Sequence, residues 1–195
     1  ATERVCQYSK LPVIVDADDG FGDTPLTTYR LIKRLIAAGA KGCTLDDTTG
    51  IRGWNRWGAA MMAGYKEGSI DHKSVSRERW LSKVKAALKA AEGTDFLVIA
   101  RTECKLKLGL EEAILRELGA KMTLIIGLKT IEEAKAVDAA DPGPKMWPDV
   151  MSKNGVPDVV LSDVEPYGFC FVTCHYLEKA MMFGAADYSK HVIAD

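Results

Sequence analysis

Short apolar, β-branched runs alternate along this chain with amphipathic helical stretches, and several of the runs end in charged residues. The first is Leu11-Pro-Val-Ile-Val-Asp-Ala-Asp-Asp-Gly-Phe-Gly-Asp23, in which three carboxylates fall within four residues. The second is Ala40-Lys-Gly-Cys-Thr-Leu-Asp-Asp47 and the third Asp95-Phe-Leu-Val-Ile-Ala-Arg-Thr-Glu103. Weaker runs follow at 121–126, 145–150 and 168–174. Helical periodicity covers 2–8, 24–38, 74–91, 110–118, 130–139, 158–165 and 176–193, the last interrupted at Gly184. Alternation of this kind predicts an α/β fold, a parallel sheet with crossover helices. Charge follows several different strands rather than one, which favours a (β/α)8 TIM-barrel type over a doubly wound open sheet with a single switch point. The Gly20-Phe-Gly22 turn is too short a match to the dinucleotide fingerprint to imply a nucleotide.

The acidic strand ends carry the chemistry. Side chains alternate along a strand, so Asp16 and Asp18 are expected on one side, and Asp46 on the same face as Thr44 with Asp47 opposite. Carboxylates that close repel unless a cation or proton lies between them. Hard oxygen ligands suit Mg2+ or Mn2+. The competing reading is a helix cap with its neighbours solvated. Arg101, directly after a buried run, needs an anion, and the acidic strand ends supply one; an internal salt bridge alone is the alternative. Residues 48–70 read as a long loop punctuated by glycine, with Arg52, Trp54, Arg56, Trp57 and Tyr65 between. Such a loop is either an active-site lid that clamps an anion or a surface that packs on a neighbouring subunit.

Composition excludes several classes. Of 195 residues, 27% are charged with a net charge of −1 and the signs interleaved, so no basic face advertises nucleic acid or a membrane surface. No apolar run approaches a membrane span, and no signal-peptide pattern opens the sequence. Five scattered cysteines fit reduced thiols and a cytoplasmic location better than a disulfide framework. Cys170 and Cys174 share a strand face and are expected as core thiols. With three histidines and no Cys-x-x-Cys pair, a zinc site is not expected.

Pro12-Val-Ile-Val-Asp-Ala-Asp-Asp-Gly-Phe-Gly22 resembles the metal-binding signature of the isocitrate lyase/phosphoenolpyruvate mutase superfamily. Gly42-Cys-Thr-Leu-Asp-Asp47, Ile99-Ala-Arg-Thr-Glu103, Gly109-Leu-Glu-Glu-Ala-Ile114 and Gly127-Leu-Lys-Thr-Ile-Glu-Glu133 follow in the family's order. The resemblance implies a Mg2+- or Mn2+-dependent C–C lyase or hydrolase acting on a small 2-oxo or 2-hydroxy carboxylate through an enolate-like intermediate. It implies Asp16, Asp18 and Asp46 as metal ligands, largely through water. Asp16, Gly20, Arg101 and Arg52 are the expected substrate-binding residues, and Arg101, Asp46 and His175 the expected catalytic ones. It also implies a homo-oligomer, a dimer or tetramer.

Departures from the family pattern cluster in the proton-transfer half. The Lys-Lys/Arg-Cys-Gly-His run of the lyases and the Lys-x-Asn-Ser run of the phosphonate enzymes are both replaced by Thr48-Thr-Gly-Ile-Arg-Gly-Trp-Asn-Arg-Trp57. Thr44 stands where lyases often carry His, Ile126 where a Glu is common, and Asp149 where an Asn is expected. Arg52, Asn55 or Arg56 are candidate replacements in the loop. His175 or Tyr176 is a candidate acid or base, against a reading of His175 as a satisfied strand-end residue. Two alternatives remain: phosphonate chemistry, as a mutase or phosphonopyruvate hydrolase, and a non-catalytic barrel that acts by binding. Six strands cannot close an eight-stranded barrel, so residues 1–195 are expected to form one barrel domain lacking two initial strand–helix units and a terminal swapped helix.

Overall fold

The computed structural model describes residues 1–22, 24–48, 74–117, 120–148, 159–173 and 176–194. Its strands are β1 (Ile14–Asp16), β2 (Gly42–Asp46), β3 (Leu97–Thr102), β4 (Met122–Ile125), β5 (Lys145–Trp147) and β6 (Phe169–Val172). All neighbours pair in parallel, in the order β1-β2-β3-β4-β5-β6. Strand order that follows chain order without reversal is that of a barrel wall, not of a doubly wound sheet, which reverses at a switch point. The six strands form a half-barrel.

The helices are α1 (Thr2–Tyr8), α2 (Pro25–Ala37), α3 (Arg77–Ala91), α4 (Lys105–Leu108), α5 (Leu110–Glu117), α6 (Ile131–Ala140), α7 (Leu161–Val164) and α8 (Tyr176–Ala194), with a 3-10 turn at Glu165–Tyr167. The start of α2 is fixed locally. Thr24 caps it, its side chain accepting from Thr27 N while Thr27 answers the Thr24 amide, and Pro25 sits in the first turn. Thr130 and Glu133 form the same reciprocal cap on α6. Ser76 alone caps α3, accepting from Arg79 N.

Period-two alternation divides the sheet's side chains between two layers. Cys43, Leu45, Val98 and Ala100 pack under the helices with Ile32, Leu35, Trp80, Val84 and Ala87. Ile99, Met122, Leu124 and Met146 form the opposite layer, with Ile14, Leu97 and Ile126 against them. A third cluster under α6 includes Trp147 and Phe169, whose rings meet edge to face at 5.0 Å.

Four expectations require correction. Leu26, whose helical spacing with Tyr29, Ile32, Leu35 and Ile36 predicts a buried stripe on α2, is exposed, and Thr28 is buried with Ile32 and Leu35 instead. The chain turns helical at Lys105, giving α4 before Gly109 breaks to φ +87 and α5 begins. Helix α8 runs through Gly184 uninterrupted. Cys170 is exposed rather than core, because β6 turns Phe169 inward and leaves Cys170 outward; Cys174 lies outside the described residues. No helix is long and apolar enough to cross a membrane, among the described residues.

Candidate metal and carboxylate site

Strand β1 ends at Asp16, so Asp18 is not placed by strand alternation as expected. A turn delivers it. Asp18 adopts φ +45 and Phe21 φ +53, left-handed conformations uncommon outside glycine. The Asp18 amide donates to Asp16 Oδ1 at 3.1 Å, and its carbonyl accepts from Asp46 N at 2.8 Å. Ala17 N donates to Thr44 O at 2.9 Å. The acidic turn is thereby laced to β2. Gly20 (φ +86) closes it: its amide donates to Ala17 O, and a Cβ there would lie 2.9 Å from Thr28 Oγ1.

The result brings together one carboxylate oxygen from each of Asp16, Asp18 and Asp46, all within 4.8 Å of one another. Asp46 is fully buried, whereas the Asp16 side chain is 55% exposed. Thr44 Oγ1 donates to Asp16 Oδ1 at 3.1 Å, and Thr48 Oγ1 to Asp46 Oδ1 at 2.6 Å. Arg101 lies opposite. Its Nη1 is 3.6 Å from Asp16 Oδ2, its Nη2 bonds Glu103 Oε1, and its buried Nε has no hydrogen-bond partner among the described residues. Glu103 is completely buried. Desolvation, with the charge of Asp16 adding to it, pushes the Cys43 thiol beneath this site up to about 12.

The donor set fits a hard divalent cation. It is all oxygen, it contains no sulfur or imidazole, and its spacing leaves room for a small ion that keeps part of its water. A cation also balances the mutual repulsion of three carboxylates. Arg101 supplies an anion-binding fork at the edge of the same cluster.

Sequence reasoning missed several supports. Lys83 is fully buried, its ammonium donating to the Asp19 carbonyl of the acidic turn. The signal was present: Lys83 interrupts the stripe formed by Trp80, Val84 and Ala87 on α3. Thr48, the first residue of the predicted loop, carries no signal in sequence of its bond to Asp46 two residues before it. Asp47 and Arg116 were given no role, although both are buried. Burial pushes the Asp47 carboxyl up, against hydrogen bonds from Thr102 and the Glu103 amide and the charge of Arg116. Arg52, Asn55, Arg56, Asp149 and His175 lie outside the described residues, and Tyr176 begins α8.

Comparison with known proteins identifies the family. The phosphoenolpyruvate phosphomutase family model matches residues 1–173. An oxaloacetate decarboxylase of Rhodopseudomonas palustris (strain ATCC BAA-98 / CGA009) is 34% identical over 142 residues, covering 70% of this chain and 44% of the relative. The 2-methylisocitrate lyase of Escherichia coli (strain K12) is 33% identical over 124 residues, covering 61% of this chain and 38% of the enzyme. The chain therefore spans less than half the length of these curated relatives. A solved phosphonopyruvate hydrolase, in complex with oxalate and Mg2+, superposes with a TM-score of 0.69 at 24% identity, covering 99% of this chain and 64% of that one. The matched family model and these identities agree on one assignment: the chain belongs to the phosphoenolpyruvate phosphomutase family.

Proposed function

We propose that this chain carries the metal and carboxylate half of a Mg2+- or Mn2+-dependent enzyme that cleaves a C–C bond in a small 2-oxo or 2-hydroxy carboxylate. The observation that carries the reading is the convergence of Asp16, Asp18 and Asp46 within 4.8 Å, with Arg101 Nη1 3.6 Å from Asp16. Asp16, Asp18 and Asp46 would hold the ion. When bound, it supplies Lewis-acid polarisation of the substrate's carbonyl and carboxylate oxygens. Arg101, held by Glu103, binds the substrate carboxylate and stabilises the negative charge that develops as an enolate-like intermediate forms. Thr44 and Thr48 keep the Asp16 and Asp46 carboxylates oriented. Arg52 and His175 are proposed for anion binding and proton transfer.

Supporting this reading are the names of the relatives, which include an oxaloacetate decarboxylase and a 2-methylisocitrate lyase. The phosphonopyruvate hydrolase neighbour and the phosphomutase description of the family favour a second reading, phosphonate chemistry on the same metal and carboxylate. Both readings share a substrate with a pyruvate-like fragment, whose carboxylate and carbonyl oxygens the ion would polarise. Assay of oxaloacetate, a methylisocitrate-type acid and phosphonopyruvate with Mg2+ separates them. The expected result is pyruvate-forming or oxalate-forming turnover with a carboxylate substrate, lost in Asp18→Ala while that variant keeps its far-UV CD spectrum. Turnover unchanged in Asp18→Ala contradicts the reading, as does the absence of metal-dependent turnover on all three acids.

The half-barrel is proposed as part of a (β/α)8 barrel. Residues 1–195 are then one domain, 48–70 its active-site loop, and the protein a cytoplasmic homo-oligomer. The exposed Met181, Met182, Tyr188 and Val192 on α8 and the free thiols of Cys6, Cys43, Cys104 and Cys170 support this picture.

A further inference from the structure

Behind the site, on the opposite side of β2 from Asp46, lies a buried polar hub. The Asp47 carboxylate, fully buried, accepts from Thr102 Oγ1 at 2.6 Å and Arg116 Nη1 at 3.1 Å on Oδ2, and from the Glu103 amide at 3.0 Å on Oδ1. Arg116 is 4% exposed. Its Nη1 also donates to Val75 O at 2.8 Å and its Nε to Glu112 at 3.0 Å, while its carbonyl accepts from Trp80 Nε1 at 3.1 Å. The main chain of Asp47 is bound on both sides as well: its amide donates to Arg101 O at 3.2 Å, and its carbonyl accepts from Val75 N at 2.8 Å. One residue thus touches β3 at Arg101 and Thr102, touches Glu103 just beyond it, and is covalently next to Asp46.

We propose that Asp47 and its ion-pair partner Arg116 are positioning residues, which hold the metal ligand Asp46 and the anion-binding Arg101 in a fixed relation across β2 and β3. Neither belongs to the cluster of Asp16, Asp18 and Asp46. The inference rests on the metal and carboxylate reading of Asp46 and Arg101, and it adds the physical link between them. Asp46 and Asp47 point to opposite faces, so a rotation that releases Asp47 from its three donors also swings Asp46 in the site. Glu103, whose amide Asp47 fixes, is the residue that holds the Arg101 guanidinium. Losing Asp47 therefore loosens both the metal side and the anion side, whereas a purely structural ion pair lowers stability alone. Supporting partners of this kind change metal affinity about 10–100-fold when removed.

The test is calorimetric titration of Mg2+, then of oxalate at saturating Mg2+, into the unaltered protein, Asp47→Asn, Thr102→Val and Val84→Ala. Val84 is buried on α3 and takes no part in the hub, so Val84→Ala measures what lost stability alone does. Weaker Mg2+ binding in Asp47→Asn by about 10–100-fold, a smaller loss in Thr102→Val, weaker oxalate binding in both, and unaltered affinities in Val84→Ala are the expected results. Should Asp47→Asn fail to fold, Thr102→Val, which removes one donor to Asp47 and the acceptor of the Cys104 amide, decides. Lower melting temperatures with unaltered Mg2+ and oxalate affinities in the folded hub variants overturn the positioning role. Equal loss of affinity in Val84→Ala overturns it too. An unaltered protein that binds no Mg2+ overturns the metal reading itself and, with it, this inference.

Discussion

Local hydroxyl donors, rather than long-range charge, set the orientation of two of the three clustered carboxylates. Thr44 serves Asp16 and Thr48 serves Asp46. Thr44 presents a hydroxyl that donates to Asp16 but cannot exchange protons near neutral pH. The thiols give a direct check on burial at this scale. Desolvation pushes Cys43 up to about 12 and Cys104 up to about 11, the latter despite a hydrogen bond from Thr102 and the charge of Arg116. Both folded values exceed an unfolded thiol's, near 8.5. Stability linked to them is fully present below pH about 8.5 and is lost as pH rises towards the folded values. Denaturant midpoints are predicted to fall between pH 8 and pH 10 by less in Cys104→Ala than in the unaltered protein. At pH 8, alkylation mapped by mass spectrometry is predicted to modify exposed Cys170 rapidly and Cys43 and Cys104 only on unfolding. Rapid modification of Cys43 would contradict the packing described.

At the scale of elements, the close approach of β2 and β3 is what brings Asp46 beside Arg101, which are paired in register. Gly42 permits it. A Cβ there would lie 2.8 Å from the Leu97 carbonyl oxygen, a backbone atom that cannot swing aside. Gly42→Ala is predicted to cost about 1–3 kcal/mol, as overpacking does, measured by urea unfolding; a change below about 0.5 kcal/mol, the ordinary surface value, would contradict the contact. Most elements were legible in sequence for a plain reason. β-Branched runs such as Leu97-Val-Ile and stripes such as Ile32 and Leu35 carry the period of the structure they adopt. What was illegible depended on turns and on context. Asp18 reaches the cluster through a positive-φ turn that strand periodicity does not encode. Gly184 costs a helix about 1 kcal/mol, which α8 accommodates. The α4 turn at Lys105 has no capping side chain to announce it. The polar hub escaped because its members, Asp47, Thr102 and Arg116, come from three separate elements and meet only after the sheet is assembled.

Across the whole molecule, six parallel strands in chain order direct every strand's carboxyl end to one rim, where the carboxylates of Asp16, Asp18 and Asp46 cluster beside Arg101. The opposite layer of Ile99, Met122, Leu124 and Met146 closes the wall below them with apolar packing. The sequence pointed to this division of labour through charge that follows the strands, and to the family through the order of its motifs. It left the bond broken open, because Thr48 to Trp57 match neither the lyase run nor the phosphonate-enzyme run named above. In the proposed site, Asp16, Asp18, Asp46 and Arg101 act together, so that metal and carboxylate bind as one unit. Calorimetric titration of oxalate with and without Mg2+ tests it most directly. Oxalate binding that requires Mg2+ and disappears in Asp18→Ala is the predicted result; oxalate bound equally well without Mg2+, or equally well by Asp18→Ala, would contradict it.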